Sequence, residues 1–312
     1  MSSRLARTAT LAALTTTALV AAGCGTDAGG GSSGDGLTVV AGFYPLEWAA
    51  ERVGGDRVSV SSLTPAGAEA HDLELTPRDV AAVSEADLLV YLDGFQPGLD
   101  DAATTEAGDA AWDAGQAADL LEAAHGDEHG DEEHDHGDEA VDPHFWLDPT
   151  RLAAVGDALA DRLTELDPEG ADVYASNAAA LREDLEALDA DMTAGLANCA
   201  VDTLVTSHEA FGYLADRYGQ EVVGISGLSP SQEPSAADLA RITALVRDRG
   251  ITTVYTETLV DPAVADTVAE EAGVRTAVLD PLEGLGDQSP GEDYLQVMRA
   301  NLATLREGQS CS

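Results

Sequence analysis

The chain contains no lysine. All 15 basic side chains are arginine, against 58 acidic ones, for a formal net charge of −43. Nucleic-acid binding needs a basic footprint along the phosphates, so that class of partner is excluded. Acidity of this kind attracts cations, but without specificity. Cysteine is nearly absent as well. Only Cys24, Cys199 and Cys311 occur, with no CxxC or CxxxC spacing, so a thiolate zinc site has no ligands. No HExxH pair is present, which removes the commonest hydrolytic zinc motif. Beyond the N-terminal region, no apolar run is long enough to cross a bilayer.

The N-terminus has its own character. Arg4 and Arg7 precede the apolar run "LAALTTTALVAAG", which is too short and too rich in threonine for a stable membrane span. This pattern predicts a secretory signal over residues 1–23. The stretch "LVAAGC" resembles the bacterial lipobox, which makes Cys24 the lipidated residue. A Gly/Ser tether over 24–36 follows, able to span on the order of 20 Å. The expected location is extracytoplasmic, on the outer face of the cell membrane and held through the lipid alone. In an oxidising compartment, Cys199 and Cys311 are expected to form a disulfide.

From Leu37 onward, short β-branched runs alternate with helical ones. "LTVVAGF", "RVSVSSL" and "DLLVYL" read as strands; "PLEWAAERVGG" and "TPRDVAAVSEA" read as helices, the second capped by Thr76 with Pro77 in its first turn. A second series carries strands "DTLVTS", "QEVVGIS", "TTVYTE" and "RTAVLD", with helices between them that include "HEAFGYLADRYG". Between the two series lies a helix over 150–166 and then a run of about thirty residues without a breaker. Its apolar positions Val173, Leu181, Leu185, Leu188, Met192 and Leu196 recur every three or four residues. The fold class is therefore α/β, with two lobes of mainly parallel sheet flanked by helices and joined by one long helix. The lobes span 37–149 and 199–312, the helical segment spans 150–198, and no sequence repeat relates the lobes.

Seven histidines are present. Four of them, His125, His129, His134 and His136, fall in "HGDEHGDEEHDHGDE", inside an acidic loop over 122–140. Low hydrophobicity and high charge predict disorder there. Any metal held by such a tract must also order the chain, so the loop is expected to be an accessory, low-affinity collector. The other three stand apart. His71 in "TPAGAEAHDLELTPRD" and His208 in "LVTSHEAFGYL" each follow a strand, one in each lobe, and His144 in "DPHFWLDP" follows the acidic loop. Glu257 and Asp280 end two further strands. Ligands of open α/β sheets bind at the carboxyl ends of strands, so these residues can converge on an inter-lobe cleft.

The segments "VVAGFYPLEWAAERVGGDRVSV", "AHDLELTPRDV", "ADLLVYLDG", "VDPHFWLDP", "TSHEAFGYLADRYG", "GLSPSQEPS" and "LDPLEG" together resemble the solute-binding lipoproteins of bacterial zinc and manganese ABC importers. The likeness runs in order from about residue 37 to the C-terminus. It implies two α/β lobes bridged by a long helix, a metal in the cleft, and histidine ligands at His71, His144 and His208. Asp280 is implied as the fourth ligand, with Glu257 or water as alternatives. It also implies Zn2+ as cargo, an ABC permease with its ATPase as partner, and a monomer without catalytic activity. Manganese relatives carry a carboxylate where His208 stands, and harder oxygen donors favour manganese or iron. A zinc-dependent hydrolase and a stand-alone surface zinc buffer are the other readings the residues leave open.

Overall fold

The structure, a computed structural model, describes residues 36–122 and 141–312. The predicted signal peptide, Cys24, all but the last residue of the tether, and the loop histidines His125, His129, His134 and His136 lie outside the described residues.

The N-terminal lobe contains strands β1 (Leu37–Ala41), β2 (Val58–Ser62), β3 (Leu88–Tyr91) and β4 (Ala111–Asp113). Its helices are α1 (Tyr44–Gly54), α2 (Pro77–Glu85), α3 (Pro97–Ala102) and α4 (Gly115–Ala118). Two long helices follow, α5 (Pro149–Leu166) and α6 (Ala171–Leu196). The C-terminal lobe holds β5 (Thr203–Thr206), α7 (Gly212–Tyr218), β6 (Glu221–Gly224), α8 (Ala236–Asp248), β7 (Thr253–Glu257), α9 (Ala263–Ala272), β8 (Arg275–Leu279) and α10 (Tyr294–Gly308).

Both sheets are wholly parallel and share one strand order, β2-β1-β3-β4 and β6-β5-β7-β8. The lobes are thus repeats in topology, although no repeat shows in their residues. In each sheet the chain runs outward from the first strand, returns, and continues on its other side. The reversal opens a crevice at the strand ends, where a ligand is bound in folds of this kind.

Strand side chains alternate between two faces, and the core follows that alternation. Val39, Ala41, Leu88, Val90, Leu204 and Tyr255 point into one continuous core that also holds the buried faces of α1, α5, α6 and α10. Their neighbours Val40 and Leu89 face a separate cluster with Val83 and Leu99. Val205 and Val254 face another with Ile242, Val246 and Val268. The shared core is what holds the two lobes to one frame.

Helix α6 is the spine of that frame. At 26 residues it is roughly 39 Å long, and it packs on α1 and α5 from one lobe's side and on α10 from the other's. Its buried stripe is Tyr174, Ala178, Leu181, Leu185, Leu188, Met192 and Leu196. Val173, expected on the stripe, is 41% exposed. It lies eight residues before Leu181, which turns it about 80° off the seam, and Tyr174 takes the buried place.

Local signals act as expected at several ends. Thr76 caps α2 in a reciprocal capping box with Asp79, and Pro77 occupies the first turn. Asp148 caps α5 by accepting from Thr150 N at 2.8 Å. Helix α7 begins four residues later than the apolar pattern predicts. The backbone of His208 is already engaged, its carbonyl accepting from Thr206 Oγ1 at 2.6 Å and its N–H donating to Glu257 Oε1 at 3.0 Å.

Cys199 and Cys311 are disulfide-bonded, 112 residues apart. The bond ties the last residues of the chain to the segment entering β5. Closing so long a loop restricts the unfolded chain, and such bonds typically contribute about 2–4 kcal/mol. Replacing both cysteines by serine should lower the urea midpoint by a corresponding amount, and reductant should reproduce the shift in the parent protein. An unchanged midpoint would show that the bond carries no stability.

Candidate metal centre

Three imidazoles and one carboxylate converge between the lobes. His71, His144, His208 and Glu283 each direct one donor atom into a space where all four atoms lie within 4.8 Å of one another. The Nε2 atoms of His71 and His144 are 3.2 Å apart, and those of His144 and His208 are 3.4 Å apart. Glu283 Oε1 stands 3.7 Å from His71 Nε2, 3.5 Å from His144 Nε2 and 3.1 Å from His208 Nε2. A tetrahedron with donors about 2.0–2.1 Å from its centre has edges of roughly 3.3 Å. Five of the six donor pairs, at 3.1–3.7 Å, scatter about that value, and the His71–His208 pair lies within 4.8 Å.

Each donor reaches the cluster from a different part of the chain. His71 sits on the loop between β2 and α2, and its ring meets Phe95 edge-on with centroids 4.6 Å apart. Its N–H donates to Glu69 Oε1 at 2.8 Å, which tightens the turn that presents the ring. His144 precedes a single 3-10 turn, Phe145–Leu147, and is fully buried. His208 follows β5, and Glu283 follows β8. Of the four, only His71 meets solvent appreciably, with 9% of its side chain exposed.

Two of the histidines are oriented by carboxylates behind them. His144 Nδ1 is 2.7 Å from Asp142 Oδ1, which also accepts from His144 N at 2.9 Å. His208 Nδ1 donates to Glu257 Oε2. The second pair is a product of strand register. Thr206 of β5 pairs with Tyr255 of β7, so His208 and Glu257, each two residues further on, lie side by side. A proton held at Nδ1 by the carboxylate leaves the Nε2 lone pair facing the cluster. Glu257, expected as an alternative fourth donor, thus serves as the orienting partner of His208.

The fourth place also differs from expectation. Asp280 is buried but stands outside the cluster. Its Oδ1 accepts from Leu282 N at 2.8 Å, closing a turn on itself. Its backbone is clamped by Asn301 of α10, which accepts from Asp280 N at 3.0 Å and donates to Asp280 O at 2.7 Å. Trp146 Nε1 donates to Pro281 O at 2.8 Å. Leu282 then adopts φ +61, a left-handed conformation that is rare for a branched side chain and is held here by these contacts. The chain reverses through it and delivers Glu283. The quoted motif "LDPLEG" contains both acids; choosing between them required the shape of this turn.

The electrostatics follow from burial and proximity. Burial alone would raise Glu283, but contact with the three imidazoles holds its carboxyl well below the usual range. Burial lowers His71, and the nearby Glu283 only partly offsets this. For His144, burial is outweighed by Asp142 and Glu283, so its pKa rises. For His208, burial is outweighed by Glu257 and Glu283, which push it up to about 10. Glu69 is raised to about 8 by burial and by its contact with Glu283. Glu283 Oε1 itself is sequestered from water and has no hydrogen-bond partner of good geometry. An acceptor atom in that position, facing three Nε2 atoms, is matched to a cation.

The base of the acidic loop lies beside this cluster. Glu122 and Val141 form an isolated antiparallel bridge, and Asp142 N donates to Leu121 O at 3.0 Å. Tyr213 seals the junction, its hydroxyl donating to Asp142 O at 2.7 Å and accepting from Leu121 N at 2.8 Å.

Comparison with known proteins agrees with this architecture. Residues 39–308 match the family model described as zinc-uptake complex component A, periplasmic (ZnuA). The zinc-binding lipoprotein AdcA of Streptococcus pneumoniae is 38% identical over 281 residues, covering 87% of this chain and 55% of AdcA. The chain therefore spans about half the length of the AdcA proteins it matches. The high-affinity zinc uptake system protein ZnuA of Bacillus subtilis is 35% identical over 304 residues, covering 93% of both chains. Among solved structures, the Zn(II)-bound ZnuA-like domain of Streptococcus pneumoniae AdcA is 35% identical, with a TM-score of 0.72 over 88% of this chain and 99% of that one. With two repeated parallel sheets, a bridging helix and a match over nearly all described residues, the chain belongs to the ZnuA family, the periplasmic component A of zinc-uptake complexes.

Proposed function

We propose that this protein binds one Zn2+ with high affinity through His71, His144, His208 and Glu283 and delivers it to an ABC permease with its ATPase. The observation that carries the reading is the near-tetrahedral spacing of three Nε2 atoms and one carboxylate oxygen in a buried space. Zinc imposes no directional preference of its own and is well served by such a set. Three nitrogen donors disfavour manganese, which prefers oxygen. All four tetrahedral positions are taken by the protein, so a bound ion keeps no open place for a catalytic water, and the role is carriage rather than hydrolysis. The names of the relatives, a zinc-binding lipoprotein and a high-affinity zinc uptake system protein, support the same cargo here.

The remaining assignments form one picture. Residues 1–23 direct export, Cys24 carries the lipid, and residues 24–36 tether a monomeric body of lobes 37–149 and 199–312 joined through 150–198. The acidic loop collects zinc loosely through His125, His129, His134 and His136. It is tied at its base two residues from His144, and so placed to pass the ion inward.

Zinc titration against a competing chelator tests the site. Alanine at His144 or His208, or Glu283→Gln, should weaken binding by more than the roughly 100-fold that loss of an outer partner can cause. Glu257→Gln should weaken it by about 10- to 100-fold through His208. Asp280→Asn should act less than Glu283→Gln, and deletion of 125–139 should leave the tight site intact. Tight binding that survives Glu283→Gln but is lost in Asp280→Asn would return the fourth place to Asp280.

Proton competition sets the pH dependence. In the metal-free protein His208 is raised to about 10, so it carries a proton at neutral pH that zinc must displace, and His144 is raised in the same direction. Affinity should therefore climb with pH past the ordinary imidazole value near 6.5 and on toward about 10. Calorimetry at pH 7.5 in buffers of different ionisation enthalpy should register net proton release per zinc. Binding without proton release would contradict the assigned protonation.

A further inference from the structure

The two loops that carry His71 and Glu283 meet across the lobes without an intervening side chain. Gly67 and Ala68 of the first loop face Gly284 and Gly286 of the second. A Cβ at Gly284 would stand 3.0 Å from Ala68 O, and one at Gly286 would stand 3.1 Å from Gly67 Cα. Both separations are tighter than ordinary van der Waals contact, so a methyl at either position forces the backbones apart by a few tenths of an ångström.

Each loop is anchored at its root, so a displacement has few ways to dissipate. Gln96 Nε2 donates to Ala70 O at 2.8 Å and to Thr64 Oγ1 at 3.1 Å, and Thr64 Oγ1 donates to Gly42 O at 2.7 Å. On the opposite loop, Asn301 and Trp146 hold Asp280 and Pro281. The free ends between these anchors are the glycine seam and the two donors, and Glu283 is bonded directly to Gly284. A cavity of about 340 Å³ does not brace the seam but opens beside it, with Thr64, Pro65, Ala66, Gly284 and Leu285 among its walls.

From this juxtaposition we infer that Gly284 and Gly286 are positioning residues that set the reach of Glu283 toward His71. Without side chains there, the loops close until the carboxylate comes within 3.7 Å of His71 Nε2, a distance the ion then spans. Any side chain on the seam lengthens that edge first, because His144 and His208 are carried by other segments. The effect falls on retention of the ion rather than on stability of the fold. This inference rests on the proposed zinc site.

The test compares zinc-loaded wild type, Gly284→Ala, Gly286→Ala, the double variant, the exposed loop control Asp287→Ala, and His208→Ala. Release into excess chelator is followed by stopped flow, and the melting temperature of each metal-free protein is measured. Each glycine variant should release zinc about tenfold faster, the scale of an outer-shell change, and the double variant faster still. Metal-free melting should match wild type, and Asp287→Ala should release at the wild-type rate. Wild-type release by the double variant would overturn the inference, as would metal-free melting that falls in step with release. His208→Ala retaining zinc would instead sink the site itself, independently of the glycine result.

Discussion

A buried carboxylate among three imidazoles is the constraint around which the rest of the molecule is arranged. Glu283 is 1% exposed, and an isolated charge at that depth is prohibitive unless neighbours compensate it. Here the neighbours are the three imidazoles, whose contact holds the carboxyl well below its usual range.

The surrounding structure holds the donor atoms of those residues within 4.8 Å of one another. One pair of orienting carboxylates comes from quite different sources: Asp142 is local in sequence to His144, whereas Glu257 reaches His208 only through the register of β5 against β7. The turn before Glu283 is held by α10 and by Trp146, itself fastened when Tyr294 Oη donates to Trp146 O at 2.5 Å. An aromatic wall of Phe43, Phe95 and Trp146 backs the site, with Phe95 against His71 and Trp146 against His144. The net charge of the chain plays little part at this range, since near neighbours in a low-dielectric interior outweigh distant solvated acids.

Much of this was legible before any coordinates. Alternating β and α patterns gave two parallel lobes, and the strand-end positions of His71 and His208 pointed to a cleft. The short strand Ala111–Asp113 escaped notice because three residues carry no periodicity. Val173 was placed on the buried stripe because apolar spacing alone does not fix where a helix begins. The prominent His-rich stretch drew attention by composition, yet the three dispersed histidines converge.

Residue type and order by themselves determined the fold class and set His71 and His208 at strand ends; the family likeness added His144 and left the fourth place to Asp280, Glu257 or water. These follow from local pattern, which is written along the chain. Only the tertiary structure showed which acid stands among the imidazoles and what the others touch. Asp280, Glu283 and Glu257 are chemically alike and close to strand ends. Their roles are separated by a left-handed Leu282, a clamp from Asn301 twenty-one residues away, and a neighbouring strand's register. Such contacts join positions distant in sequence, and direction in space is set there.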